Sequence, residues 1–209
     1  MATRKRNNTQ TKTTLLLVTA TEAEALYFSQ MRKDCRYGNL TVVNSGATSL
    51  KALITFTVKE KNRQRYDEAY ALFGFDEVGA TREEVRQYEE KFAGKRIHLC
   101  YFEPSFKLWL YLHLGKPQSF IADPAAFDAP LAKAIEGFNW SGEYLLTDGI
   151  NLHMKLFPRH SVADQNARDY NRIAIQATGE KATTMPELNK AITEICGQAD
   201  MSHNTKVFK

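Results

Sequence analysis

Cysteine is scarce: Cys35, Cys100 and Cys196 are three in 209 residues, far apart and odd in number. They argue against a disulfide framework and against zinc-ligand spacing, so a reducing cytoplasm is the expected setting. No apolar run approaches the roughly 20 residues that a membrane-spanning helix needs, and no membrane partner is expected. The start, "MATRKRNNTQTKTT", has no apolar stretch of a secretory leader before the first predicted strand. Glycine is also sparse where phosphate chemistry would use it. "AGKR" (93–96) lacks the spacing and the Ser/Thr of a P-loop, and no Gly-x-Gly-x-x-Gly or Gly-x-Ser-x-Gly occurs.

The composition that remains, 43% hydrophobic and 25% charged, is that of a globular chain long enough for one large domain or a domain with an appendage. The net charge of +4 comes from the first 13 residues, where Arg4, Lys5, Arg6 and Lys12 meet no acid. Such an arm can bind a phosphate backbone by counterion release, or it can be a solvated terminus.

"TLLLVT" (14–19) is a short, continuous apolar run that suits a buried parallel strand. Thr21 can cap the following "TEAEALYFSQMRK", whose acids lead and bases trail as the helix dipole prefers. "NLTVVN" (39–44) predicts a second strand, and a helix is expected from about 50 to 61. "AYALFGF" (69–75) predicts a third strand. "TREEVRQYEEKFAG" then has a Thr cap, Glu three residues on and Gly94 as its stop. "RIHLCYF" (96–102) predicts a fourth. "EPSFKLWLYLHLG" (103–115) predicts an apolar helix with Pro104 in its first turn. Alternating strands and helices predict an α/β fold: a mostly parallel four-stranded sheet covered on both faces. The chain from 116 to 200 reads as a helical extension packed on that 14–115 domain, and 201–209 as a tail.

In parallel sheets, sites form at the carboxyl ends of strands. Here those ends carry Glu22 and Glu24, then Asn44 to Gly46, then Asp76 and Glu77, then Glu103. Converging carboxylates are what magnesium prefers, and Asp76 with Glu77 are the candidate metal ligands. Acids after strands also serve simply as helix starts and surface polarity, and both readings stay open. The five histidines show no ligand spacing; His98 reads as a packed or edge residue. His113, closing an apolar helix whose start faces the site, can be a helix-end, core or catalytic group. Arg159, His160, Arg168 and Arg172 can touch nucleic acid or form a solvated helix face.

The order of segments resembles the RloB-like family, Toprim-related proteins encoded near restriction or phage-defence loci. "TLLLVTATEAEALYF" is similar to the family's opening strand, acidic turn and Tyr-Phe helix. "YALFGFDEVGATREEV" resembles its Asp-x-Asp strand, and "EPSFKLWLYLHL" its Asn-Pro-x-Phe-Glu-x-Trp-Leu-x-x-His segment. The resemblance implies a Toprim-like, Rossmann-like fold in which a Glu after the first strand and an Asp-x-Asp after the third hold Mg²⁺ to cut or rejoin nucleic acid. It also implies a role in antiviral defence, often beside an ATPase. Thr19, Ala20 and Thr21 stand where the family has Glu-Gly. Gly74 stands at the first Asp, and Glu103 and Lys107 stand at the Asn and Glu. Pro104, Phe106, Trp109, Leu110 and His113 match.

Three function classes follow. One is a defence protein with a degenerate site that binds nucleic acid, through Arg4, Lys5, Arg6, Arg159 and Arg168, or a protein partner such as an ATPase. Another is an active Mg-dependent nuclease with rearranged ligands drawn from Glu22, Glu24, Asp76, Glu77 and Glu103, with Lys107 and His113 nearby. A structural subunit of a larger complex is the third, and an oligomer is compatible with each.

Overall fold

The computed structural model describes residues 12–202. Four strands, β1 (Leu15–Thr19), β2 (Leu40–Asn44), β3 (Glu68–Gly74) and β4 (Ile97–Phe102), form one all-parallel sheet in the order β2-β1-β3-β4. Every residue of β1 is buried, as a central strand covered on both faces requires. Helix α1 (Glu22–Asp34) connects β1 to β2, and α2 (Leu50–Gln64) connects β2 to β3. A single turn, α3 (Phe75–Val78), and then α4 (Arg82–Phe92) lead into β4. Thr21 and Thr81 each close a complete capping box, with Glu24 and Glu84.

Alternation along the strands splits the core. Leu16, Val18, Ala71, Phe73 and Leu99 pack against α2 and α4 through Leu53, Ile54, Val85 and Phe92. Leu15, Leu17, Leu72, Cys100 and Phe102 face Tyr27 and Phe28 of α1 and the C-terminal helices. Those helices are α5 (Lys107–Leu112), α6 (Asp128–Ala134), α7 (Gly142–Leu146), α8 (Leu152–Leu156), α9 (His160–Thr178) and α10 (Met185–Cys196). The core on this face runs without a break from the sheet to Leu131, Leu152, Tyr170 and Leu188. Among the described residues no helix is long and apolar enough to cross a membrane.

Two local expectations are corrected. The helix predicted from Glu103 begins only at Lys107: Glu103 and Pro104 join through a cis peptide bond, and the first turn closes from Leu108 N–H to Ser105 O at 3.0 Å. Pro104 therefore precedes the helix. The third strand, predicted to run to Phe75, ends at Gly74, and Phe75 opens the α3 turn that carries Asp76 and Glu77.

Helix α8 docks on α1 through a buried polar knot. Asp34 accepts from Asn151 Nδ2 at 3.0 Å and lies 2.8 Å from His153 Nδ1, with both His153 and Asp34 shielded from solvent. At the other margin of the sheet, Ala182–Thr184 runs antiparallel along the end of β4 as a strap. Glu103 N–H donates to Ala182 O at 2.7 Å, Thr184 N–H to Tyr101 O at 3.3 Å, and Thr184 Oγ1 to Leu99 O at 3.1 Å. Asn171 of α9 holds the strap from behind, its Oδ1 accepting from the N–H of Ala182 and Thr183 and its Nδ2 donating to Thr183 O.

Candidate functional site

In the order β2-β1-β3-β4 the chain leaves β1 toward one side and resumes at β3 on the other, so a crevice opens beyond the carboxyl ends of β1 and β3. Two acids meet there. Glu24 arrives on the first turn of α1, where its Oε2 accepts from Thr21 N–H at 2.9 Å; its Oε1 is buried and has no partner. Glu77 arrives on α3, and its Oε2 is likewise buried and unpartnered. The hydroxyl of Ser105, a third buried group without a partner, lies on the turn before α5, where its Cα borders the same volume as the Glu77 carboxylate.

Gly74 makes this arrangement possible. A Cβ added there would overlap the Glu77 carboxylate and come within 2.8 Å of Ser105 Cα. The acid carried at position 77 thus fills the volume that a side chain at position 74 would need. Backbone N–H groups of Glu77 itself and of Phe106 favour the charged carboxylate. Phe106 is held by edge contacts with Tyr27 and Phe102 and by stacking on Trp140 at 5.0 Å between centroids.

Burial dominates the electrostatics. It pushes Glu24 up to about 8, with the neighbouring Glu77 adding to the rise. It raises Glu77 to about 7, against the backbone donors and Lys107, with Asp76 adding to the rise. Near neutral pH the pair therefore keeps protons that a divalent cation would have to displace.

The other candidates are placed elsewhere. Asp76 is exposed, and its N–H donates to Pro104 O at 3.0 Å. Glu22 is exposed and lies over Gly142 at the start of α7, where an added Cβ would meet its carboxylate. Glu103 is held by Arg82, whose Nε donates to it at 3.0 and 3.2 Å while Nη1 donates to Thr178 O. Lys107 pairs with Asp128. His113 is fully buried; Nδ1 meets Trp109 O at 2.9 Å, Nε2 has no partner, and burial lowers its pKa to about 3, so it stays neutral within the core. Arg168 is tied to Asp164 at 2.9 Å and Arg172 to Asp169 at 2.8 Å, while Arg159 is exposed. Arg4, Lys5 and Arg6 lie outside the described residues.

Among the described residues no three His, Cys, Asp or Glu side chains assemble as a metal-holding group. Glu24 and Glu77 are only two donors, the first fully buried and both with raised pKa, and this set does not fit magnesium as it stands. Sequence reasoning missed Ser105 and Trp140. Ser105 had a usable signal, since it stands between two residues of the matched segment. Trp140 had none, because its role depends on the fold of the extension.

The family model for RloB-like proteins matches residues 15–193, most of the chain. No curated protein and no solved structure matches it.

Proposed function

This chain belongs to the RloB-like family, and on that premise we propose that it serves antiviral defence by binding, with its Toprim-type carboxylate site degenerate. The observation that carries this reading is the Gly74–Glu77 exchange: the acid fills the space of the missing side chain, turns a buried Oε2 into the crevice near Glu24, and leaves Asp76 outside in solvent. A phosphoryl-transfer site needs charged carboxylates open to substrate phosphates. Glu24 is fully buried and, near neutral pH, protonated. The binding partner is nucleic acid, engaged by the basic residues Arg4, Lys5 and Arg6 together with Arg159, or a defence-system ATPase. Arg168 contributes less than its sequence suggests because Asp164 compensates it.

A nuclease assay with DNA and RNA in Mg²⁺ and in Mn²⁺, with and without the neighbouring ATPase, tests the reading. Wild type and Asp76→Ala are expected to behave alike, neither giving metal-dependent cleavage. Cleavage by the wild type that Asp76→Ala abolishes would establish a rearranged nuclease instead. Salt-dependent retention of nucleic acid, weakened by deleting residues 1–13, selects nucleic acid over the ATPase as the bound partner.

A further inference from the structure

The β4 edge is half finished. The Ala69 N–H donates to Arg96 O, which sets the alternation of a parallel pair, so Ile97, Leu99, Tyr101 and Glu103 turn their N–H and C=O groups away from the sheet. The strap Ala182–Thr184 takes the N–H of Glu103, both groups of Tyr101 and the carbonyl of Leu99. The N–H and C=O of Ile97 and the N–H of Leu99 have no partner among the described residues. They floor a cleft of about 370 Å³ between the end of α4, at Phe92 and Gly94, and the start of α10, at Thr184 and Glu187.

The charges lining this cleft do not balance. Lys181 is already paired with Glu187 at 2.6 Å, while Glu89 makes no ion pair among the described residues. We propose that this cleft binds an extended basic segment of a protein partner by strand addition, antiparallel to β4 and in line with the strap. The guest backbone pairs with Ile97 and Leu99, and a Lys or Arg side chain reaches Glu89. The chain itself demonstrates the geometry, since its own strap already adds to this edge in the same direction. Desolvation, with Glu180 and Glu187 beside it and Lys181 opposing, raises the pKa of Glu89, a direction that a guest cation would reverse. Main-chain bonds supply the affinity and alternate side chains the selectivity, with the apolar ones facing Phe92. The cleft lies at the amino end of β4, away from Glu24 and Glu77, so it stands whether or not the carboxylate site is degenerate.

The test is titration of the ¹⁵N-labelled full chain with acetyl-Lys-Val-Lys-Val-Lys-amide. The proposal expects shifts and slowed hydrogen exchange at the amides of Ile97 and Leu99. It also expects affinity to fall about tenfold in Glu89→Lys, with the melting temperature retained. Equal binding of acetyl-Glu-Val-Glu-Val-Glu-amide, amide shifts confined to other elements, or an unchanged affinity in Glu89→Lys would overturn it. If Glu89→Lys does not fold, Glu89→Gln serves, with a loss of about threefold expected and none overturning. A chain lacking residues 1–11 that binds the probe tenfold more tightly would make the basic arm the occupant, and would overturn assignment to a partner.

Discussion

Glu77 and Gly74 share one volume: the carboxylate of the first lies where any side chain on the second would begin. Three residues apart on a strand end and the turn after it, they can be large only one at a time. Gly74→Ala is expected to cost about 1–3 kcal/mol as overpacking. Part of that cost returns in the Glu77→Gly background, where only the contact with Ser105 Cα remains. Urea midpoints of the two single variants and the double variant measure the coupling. A double variant whose loss equals the sum of the singles would show that the two positions do not compete.

The buried acids give stability a pH dependence of definite sign. Glu24 and Glu77 move up from an ordinary value of 4.5 to about 8 and about 7. The folded protein therefore holds protons that the unfolded chain gives up. Their contribution is present in full below pH 4.5 and is lost as pH rises through about 7 to 8. The urea midpoint is expected to fall between pH 5 and pH 8, and Glu24→Gln, which remains neutral, should flatten that decline. A parallel decline in Glu24→Gln would locate the pH dependence elsewhere.

The docking of α8 on α1 depends on Asp34. Asp34→Ala leaves Asn151 and His153 without the acceptor they share, and a loss of about 1–3 kcal/mol is expected for each donor left unsatisfied. Thermal unfolding followed by near-UV circular dichroism should show it, since Tyr27 and Phe157 both contact the His153 ring. Asp34→Asn, which keeps an acceptor oxygen, should lose less.

The sheet was readable because its strands are short apolar runs between capped helices. Thr21 and Thr81, each followed three residues later by Glu, marked helix starts that the structure keeps. The helices α7 and α8 escaped because five residues are too few for a helical period to show. Pro104 misled in the other direction. A proline near the head of an apolar run suits a first helical turn, yet here the chain turns at Ser105 and enters the helix later. Of the candidate site, the sequence put Asp76 with Glu77 forward as metal ligands and left Glu24 among the other acids, whereas the structure turns Asp76 to solvent and sets Glu77 near Glu24. What singles out Glu24 is full burial, and Glu77 a buried, unpartnered Oε2, both products of packing that no local pattern shows. Glu103 is equivalent to them by position after a strand, and only the fold brings Arg82, 21 residues earlier, onto its carboxylate.

The strap has a consequence for synthesis. Thr184 sits 85 residues beyond Leu99, whose carbonyl it caps. A nascent chain that has already laid down β4 must wait for most of the C-terminal helices before that margin can be closed. Through that interval the outward groups of Leu99, Tyr101 and Glu103 are open to any neighbouring strand. The emerging protein is thus exposed to mispairing from the completion of β4 until Ala182–Thr184 follows α9, where the Asn171 amide holds the strap in place.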